Sequence, residues 1–295
     1  MADKVEQQDI RGLDIDKLAK GFADVAYIFK NDCQVSSASS DQIRWYSKTA
    51  GTLTATSPSR TKNTTPGSKP TTLEVSWTRN VSYIKEYKVE GFISDRDIKT
   101  ADLDVLATTI RDLTRVVVKD VDADIWDVMS ESQSPSGTGI QTFATTAVGG
   151  DQWDAAAYAA DIIKDLNRAI RMIQDYNYDT SGIVLYLNPT DYESIKNWLI
   201  SGKGSSIPGF SSEKIKSGVI MELLGFSIKV SKNVTDDYAL ALIPKVSTTF
   251  KQLTPTTAVT IDSPLLGKTI RVKEEGIAYN TDPKAIVLIT DTQTA

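Results

Sequence analysis

The sequence of 295 residues predicts an α+β protein in which an irregular lobe is inserted between one long helix and a terminal sheet. Three patterns support this fold class. Apolar residues occupy odd positions from Leu73 to Val89, which is the period of a strand with one apolar face. A helical apolar stripe runs from Thr100 to Met129. Short strands separated by prolines fill residues 249–295.

The first 90 residues predict an arm followed by a long extended loop. Residues 1–30 are first charged and then amphipathic, without a partner helix nearby in the sequence. From Ser47 to Thr72, thirteen of 26 residues are Ser or Thr, and three prolines exclude a helix. A loop of this length is usually either functional or disordered. The sequence therefore predicts an excursion that returns along the strand of residues 73–89.

The long helix is predicted to bury one side against the terminal sheet. Its buried stripe is expected to include Leu106, Ile110, Leu113 and Val117. Thirty residues at 1.5 Å each would reach about 45 Å. After a breaker segment with Pro135, a second helix is predicted from Asp154 to about Tyr176.

The lobe contains a strand, GIVLYLNP, followed by a helix that Thr190 is expected to cap, with Glu193 completing a capping box. The Gly- and Ser-rich segment 201–212 predicts an exposed loop. Two further strands are predicted at Leu223–Val230 and Ala239–Pro244. The terminal sheet is expected to turn near Pro255, near Pro264 and at Asp282–Pro283.

The composition excludes several kinds of catalytic site. The sequence has no histidine and one cysteine, which excludes Ser-His-Asp and Cys-His nucleophiles, His-bound zinc and an internal disulfide. Cys33 is interpreted as a packed residue. Lys203 lies in a GKG that lacks the spacing of a phosphate-binding loop. We therefore predict no enzyme, no cofactor and no metal site. With no signal peptide and no run of about 20 apolar residues, we expect a soluble protein made in the cytosol.

Two segments carry opposite charge in a chain whose net charge is -5. Residues 44–88 contain eight Lys or Arg against two Glu, whereas residues 101–129 contain seven Asp against three Lys or Arg. The basic segment lacks interleaved aromatic residues before Trp77, so binding to an acidic surface is a better interpretation than nucleic-acid binding. The helix aspartates point apart rather than toward one metal ion, which favours a solvated or partner-facing surface.

The order of these elements and three local motifs resemble the major capsid protein of tailed phages, the Hong Kong ninety-seven fold. The motifs are GIVLYLNPTDYESIKNWL, LLGFSIKVSKNV and IRVKEEGIAYNTDPKAIVLI. In the first motif, Tyr192 follows Asp191 after an Asn-Pro turn. In the last motif, Pro283 and Ala285 match a Pro-x-Ala step. The resemblance covers nearly the whole chain. It implies an N-terminal arm at 1–43, an extended loop at 44–90, a peripheral domain at 91–150 and 246–295 with the spine helix and a sheet, and an inserted axial domain at 151–245.

The resemblance implies a structural subunit that self-assembles, as pentamers and hexamers, into an icosahedral capsid enclosing double-stranded DNA without sequence specificity. It also implies portal, scaffolding or decoration proteins as partners, no membrane, and a place in the virion after synthesis in the host cytoplasm. A scaffold would be a separate protein or dispensable, because residues 1–43 are too few for the long scaffolding segment of some members. The alternatives are an encapsulin-type nanocompartment shell and a tail or adhesin structural subunit.

The charge pattern and the resemblance together suggest where subunits meet. Arg60, Lys62 and Lys69 of the extended loop are expected to lie over an acidic surface of an adjacent subunit. Asp120 and Asp124 of the long helix are the first candidates for that surface.

A second contact is expected at the loop 201–212. The resemblance implies that this loop, with Lys203 and Phe210, approaches the centre of a pentamer or hexamer. Some family members cross-link a loop lysine to an asparagine of a partner. No motif fixes a partner for Lys48 or the other loop lysines, so this chemistry is not inferred.

Overall fold

The computed structural model describes residues 19–23, 27–48, 67, 77–100, 105–130, 139–147, 150–155, 161–199 and 222–294. The strands are β1 (Gln34–Ser37), β2 (Gln42–Lys48), β3 (Trp77–Tyr83), β4 (Lys85–Ser94), β5 (Gln141–Ala144), β6 (Val184–Leu187), β7 (Glu222–Leu223), β8 (Phe226–Val230), β9 (Tyr238–Leu242), β10 (Thr248–Ser263), β11 (Gly267–Asn280) and β12 (Ile286–Thr290). The helices are α1 (Asp95–Thr100), α2 (Val105–Met129), α3 (Ile162–Gln174) and α4 (Pro189–Asn197). This mixture of helices and sheets confirms the predicted α+β class.

The chain divides into two compact units. The first unit comprises Met1–Arg44, Val81–Trp126 and Phe250–Tyr279. Its four-stranded sheet has the order β1-β10-β11-β4, and β11 pairs antiparallel with β4. The odd residues of β4 from Tyr87 to Ile93 face inward, as the alternation predicted.

The long helix is confirmed over Val105–Met129. α2 has 25 residues, which corresponds to about 37 Å. Residues 101–104 lie outside the described residues, and α1 precedes them. Ile110 and Val117 are buried as expected, whereas Leu106 and Leu113 are only half-buried. Leu113 packs over Gly91 of β4, where an added Cβ would be 3.0 Å from the Leu113 Cδ1 atom.

The predicted turn near Pro255 is wrong, because β10 runs through this residue from Thr248 to Ser263. Proline lacks the N–H that a neighbouring strand would need, so it is tolerated where a strand has no neighbour. On one side, β10 has only β1 as its neighbour. Because β1 has four residues and β10 has sixteen, part of this edge of β10 has no neighbouring strand. The turns near Pro264 and at Asp282–Pro283 are confirmed, since β10 ends before the first and a 3-10 turn occupies Pro283–Ala285.

The expectation of one apolar inward face fails in β3. Trp77, Val81 and Tyr83 occupy odd positions there but are exposed. β3 pairs only with β2, and Asn80 Nδ2 lies 3.5 Å from Ser47 Oγ across the pair. A two-stranded sheet has too few strands to bury a face by itself. The pairing of β2 with β3 brings together the two ends of the segment 49–76, and the assignment of an extended loop at 44–90 stays a prediction.

The second unit comprises Trp45–Asn80, Asp127–Thr249 and Asn280–Ala295. Its six-stranded mixed sheet has the order β5-β12-β9-β6-β8-β7. β12 is parallel to β5 and antiparallel to β9, and β6 is parallel to β8 and antiparallel to β9. The helix α3 packs its apolar stripe into the same core. The stripe consists of Ile162, Leu166, Ala169 and Ile173.

The predicted start of the second helix at Asp154 is wrong, because α3 begins at Ile162. Before it, the Trp153 backbone N–H donates to the Thr292 carbonyl at 2.9 Å, and its indole N–H donates to Asp165 at 3.0 Å. These long-range bonds hold residues 151–155 in a turn. None of the described helices is long and apolar enough to cross a membrane.

The cap of α4 is Asn188 rather than the predicted Thr190. The Asn188 side chain accepts a hydrogen bond from the Thr190 backbone N–H at 3.0 Å, and Pro189 occupies the first helical position. The same side chain donates to the Val234 carbonyl at 2.9 Å and to Asp236 at 2.8 Å. The asparagine side chain thus uses its oxygen as the acceptor for the helix cap and its nitrogen as the donor to the neighbouring loop.

We expect Asn188→Ala to lower the free energy of unfolding by about 2 kcal/mol, since the cap and two further hydrogen bonds are lost. Thr190→Ala is the matched control, because it retains the backbone N–H, and it should change stability by less than about 0.5 kcal/mol. Urea unfolding followed by circular dichroism measures both. An equal decrease in the free energy of unfolding for the two variants would mean that Thr190 caps the helix.

Asp191 in the same motif fixes the carboxyl-terminal segment. Its buried carboxylate accepts hydrogen bonds from the Thr292 hydroxyl and from the Gln293 side-chain amide, both at 3.1 Å. Burial raises the pKa of Asp191 to about 6, although both hydrogen bonds oppose this shift. The acidic residue after the Asn-Pro turn therefore has a structural role in the second unit.

Candidate functional site

The titratable side chains in the described part of the chain do not meet the requirements of a metal site. Within it, no group of three or more His, Cys, Asp or Glu side chains could hold a metal ion. Cys33 is buried, and its thiol contacts the Phe29 carbonyl at 3.5 Å. Burial, and then the nearby Asp122 and Asp32, raise the pKa of this thiol. The interpretation of Cys33 as a packed residue is confirmed.

Most of the predicted interface residues lie outside the described residues. These are Arg60, Lys62, Lys69, Lys203 and Phe210. Of the two remaining candidates, Asp120 is exposed on α2 and accessible to a partner. Their roles in subunit contacts stay predictions.

Asp124 is half-buried and already has partners within its own chain. Its carboxylate accepts a hydrogen bond from Lys85 Nζ at 2.9 Å and another from the Tyr87 hydroxyl. Both partners lie on β4, in the first unit. Asp124 therefore holds α2 to the sheet, and a contact with another subunit would have to compete with these bonds.

The expectation that the helix aspartates form a solvated or partner-facing surface is wrong for Asp122. This residue is buried, and its carboxylate accepts hydrogen bonds from the backbone N–H groups of Ile28 at 2.8 Å and Lys30 at 3.2 Å. Burial raises its pKa to about 6, although these hydrogen bonds favour the charged form. Asp122 thus caps the 3-10 turn Lys30–Asp32 and fixes the N-terminal segment on α2.

A second buried carboxylate, Glu274 of β11, binds the same segment from the sheet. It pairs with Lys30 Nζ, and both side chains are almost completely buried. Its other oxygen accepts hydrogen bonds from the Tyr27 hydroxyl and, at 2.9 Å, from Thr256 Oγ1. We call Tyr27, Lys30, Asp122, Thr256 and Glu274 the arm anchor. All five residues belong to the first unit.

Aromatic rings enclose the lysine of the arm anchor. Lys30 Nζ lies 4.3 Å from the centroid of the Tyr27 ring and 4.9 Å from that of Phe250. Such contacts stabilise a desolvated ammonium group through the ring quadrupole. Burial, and then the nearby Glu274 carboxylate, raise the pKa of Tyr27. The phenol therefore stays neutral and donates a hydrogen bond to Glu274. The arrangement therefore positions the segment 27–33 on the sheet.

The sequence reasoning missed the arm anchor, although one signal for Glu274 was available. In IRVKEEGIAYN the inward positions of β11 are the even residues, and Ile270 and Val272 mark that face. Extending the alternation by two residues places Glu274 in the core and Glu275 outside. No comparable signal existed for Asp122, whose burial depends on a segment more than 90 residues earlier in the sequence.

One family model matches the sequence, and solved structures with a similar fold include phage capsids. A sequence model described as phage capsid protein matches residues 91–289. The capsid of the cyanophage P-SCSP1u has a similar fold, with a TM-score of 0.65 and 14% identity over 90% of this chain and 88% of that chain. A structure from Mycobacterium phage Che8 gives a TM-score of 0.62 and 18% identity over 91% and 92%.

A virus-like particle from Pyrococcus furiosus is also similar, with a TM-score of 0.61 and 13% identity over 95% of this chain and 99% of that chain. No curated protein matches the sequence significantly. The family match covers more than half of the 295 residues and includes α1 to α4, the end of β4, β5 to β11 and most of β12. The chain therefore belongs to the phage capsid protein family and is a structural capsid subunit.

Proposed function

We propose that this subunit assembles with copies of itself, as pentamers and hexamers, into a closed icosahedral shell that encloses double-stranded DNA. The observation that carries this proposal is the family match over residues 91–289. Capsid structures that cover about nine tenths of the chain support it. The protein would be made in the host cytoplasm and become part of the virion, with portal, scaffolding or decoration proteins as further partners.

The physical requirements of a shell match what this chain offers. Each subunit contacts several neighbours, so individually modest interfaces add up to a stable assembly. A net charge of -5 supports enclosing DNA without binding it tightly, because the whole chain does not attract a polyanion. We further propose that residues 151–245 act as the axial domain, and residues 91–150 with 246–295 as the peripheral domain.

Subunit contacts are proposed at the two predicted loops. The basic loop residues Arg60, Lys62 and Lys69 would lie over an acidic surface of a neighbouring copy, where the exposed Asp120 is the better candidate. Asp124 is the weaker candidate because Lys85 and Tyr87 already bind it. Lys203 and Phe210 would approach the centre of a pentamer or hexamer.

A nanocompartment shell that encloses protein instead of DNA is the second candidate. It is favoured by the similarity to the virus-like particle from Pyrococcus furiosus, which extends over 95% of this chain. The two candidates share the fold and the self-assembly, and they differ in what the shell contains.

Electron microscopy of the purified 295-residue chain tests the assembly. We expect closed shells, or rings of five and six subunits, whose amount increases with protein concentration. A monodisperse monomer over a wide concentration range would contradict the proposal. Particles purified from the producing cells and treated with nuclease then decide the content: protected double-stranded DNA supports a capsid, and protein cargo without DNA supports a compartment.

A further inference from the structure

The exposed charges of α2 differ from the charges of its sequence. The helix contains five aspartates and three cations. Asp122 is buried against the segment 27–33, and Asp124 and Asp127 are half-buried. The charged residues of α2 that remain exposed are three cations and two anions, namely Arg111, Arg115, Lys119, Asp112 and Asp120. Folding therefore gives a helix with an acidic sequence a slightly basic exposed surface.

The three cations form one row along the helix. Arg111, Arg115 and Lys119 follow each other at four-residue intervals, so each lies about 6 Å further along the axis and the row spans about 12 Å. Side chains four residues apart are neighbours on one helix face. We call these three residues the basic row. Because each residue turns the helix by about 100°, Asp120 lies about 140° around the axis from Arg115. The basic row and this acidic candidate for a subunit contact therefore occupy different sides of α2.

The chain neutralises the basic row only in part. Arg111 Nε lies 3.3 Å from Asp112, but both side chains are exposed, and an exposed pair contributes little to stability. Among the described residues, Arg115 forms no ion pair. Like charges four residues apart destabilise a helix, and the basic row contains this arrangement twice. Such a departure from a local rule is expected at a functional position. The row therefore suits an anionic partner.

The geometry of the basic row indicates the class of anion. A DNA duplex carries one charge per about 1.7 Å of its axis, so a row of about 12 Å faces about seven phosphate charges wherever it lies along the duplex. An acidic protein surface would need carboxylates at matching positions. Two of the three cations are arginines, whose planar forks match phosphate oxygens. α2 has no Asn or Gln, the side chains that pair with adenine. The row therefore fits the DNA backbone rather than a base sequence.

We propose that the basic row is a contact site for the phosphate backbone of double-stranded DNA, bound without sequence specificity. The inference rests on the proposed function, because the DNA that the shell encloses supplies this partner. Three phosphate contacts for each subunit give a weak, salt-sensitive attraction, which is compatible with a chain whose net charge is -5. In a shell, many copies of the row repeat this contact along the enclosed DNA.

DNA binding by the unassembled 295-residue chain tests the proposal. The triple variant Arg111→Gln, Arg115→Gln and Lys119→Gln is compared with the original chain by fluorescence anisotropy of a labelled 30-base-pair duplex of random sequence. Three phosphate contacts contribute about -2.7 to the slope of log affinity against log salt, or about 40-fold in affinity between 50 and 200 mM salt. The triple variant should lose this share of the slope and bind at least tenfold more weakly at 50 mM salt. Circular dichroism verifies that it folds.

A second triple variant controls for net charge. Lys164→Gln, Arg171→Gln and Lys232→Gln remove three exposed cations from the second unit, and DNA affinity should stay within twofold of the original. An equal loss in both triple variants would overturn the proposal, because net charge would then explain the binding. Arg111→Lys with Arg115→Lys keeps all charges of the basic row, so the salt slope should be retained. Loss of the slope in this variant would also contradict the proposal.

A variant that gains affinity tests the position of the DNA. Asp112→Asn removes the anion beside Arg111, and it should raise DNA affinity at least twofold at 150 mM salt, where the Debye length is about 8 Å. Asp120→Asn makes the same chemical change on the other side of α2 and should have a smaller effect. Equal gains from the two variants would show that the DNA does not lie along the basic row.

Polyglutamate distinguishes a protein partner from DNA. It is titrated as a competitor of the labelled duplex at equal concentration of negative charge. We expect it to compete less well than unlabelled duplex, because carboxylates on a flexible chain do not form the regular line of charge that a duplex presents. Tighter binding of polyglutamate than of duplex would assign the basic row to an acidic protein surface and overturn the proposal.

The assembly of the original chain separates this proposal from the proposed function. If shells with protected DNA form, but the triple variant of the basic row binds DNA as the original does, the basic row alone is overturned. If no shell forms and DNA binding still depends on the basic row, the proposed function fails and the contact site stands. Undetectable DNA binding by the original chain at 50 mM salt overturns the contact site, whether or not shells form.

Discussion

Val117→Asp is expected to lower the free energy of unfolding by more than about 4 kcal/mol, because it places an unpaired charge in the core of the first unit. Val117 is 1% exposed in the middle of α2. Buried residues surround it along the same helix face, and they include Ile110, Thr114, Val121 and Ile125. Since domains are stable by about 5–15 kcal/mol, we expect an unfolded or aggregated first unit. Denaturant unfolding followed by tryptophan fluorescence measures the change.

The adjacent residue provides the matched control. Val116 is 46% exposed on the same helix, and Val116→Asp makes the same chemical change one position away. Its effect should stay within about 0.5 kcal/mol. A stable, natively folded Val117→Asp protein would show that the buried face of α2 is assigned incorrectly.

The elements that the sequence predicted well are those whose signal repeats locally. The apolar stripe of α2 and the alternation of β4 continue over many residues, so single exceptions such as the half-buried Leu113 do not hide them. Local alternatives were harder to separate. Asn188 and Thr190 are both good capping residues, and only the bonds of Asn188 to Val234 and Asp236 decide between them.

The residues that the sequence could not assign depend on distant partners. Asp122 looked like one of several surface aspartates, and only the packing of residues 27–33 against α2 makes it a buried acceptor. Pro255 was predicted to lie in a turn, and its place inside β10 depends on the shortness of the neighbouring strand β1. Contacts of Arg60 or Phe210 with other subunits depend on the arrangement of copies, which the sequence of one chain does not contain.

The second large effect is expected at the arm anchor. Glu274→Leu removes the carboxylate that pairs with Lys30 Nζ and leaves an ammonium group in the core. Removing one partner of a buried ion pair typically lowers the free energy of unfolding by about 3–5 kcal/mol. Because Tyr27 and Thr256 lose their acceptor as well, we expect an effect at the upper end of this range.

The exposed pair of Glu90 with Arg271 provides the control for this variant. Both strands of the pair, β4 and β11, belong to the same sheet, but the side chains are about half-exposed. Glu90→Leu should therefore lower the free energy of unfolding by only about 0–1 kcal/mol. Chemical unfolding at one pH and one salt concentration compares the two variants directly.

A double variant shows whether the loss comes from the unpaired charge or from the packing. Lys30→Met with Glu274→Leu replaces both charges by apolar side chains, and the Tyr27 and Phe250 rings around Lys30 Nζ can pack against a methionine. Buried ion pairs are often replaced by apolar residues without loss of stability, so the double variant should recover at least half of what Glu274→Leu loses. Limited proteolysis should follow the same order, with cleavage before residue 33 fastest in Glu274→Leu, because the segment 27–33 then loses the ion pair of Lys30 and the hydrogen bond of Tyr27 to Glu274. If the double variant is as unstable as Glu274→Leu, the charge of Lys30 is not what makes Glu274 necessary, and the lost hydrogen bonds of Tyr27 and Thr256 are the cause.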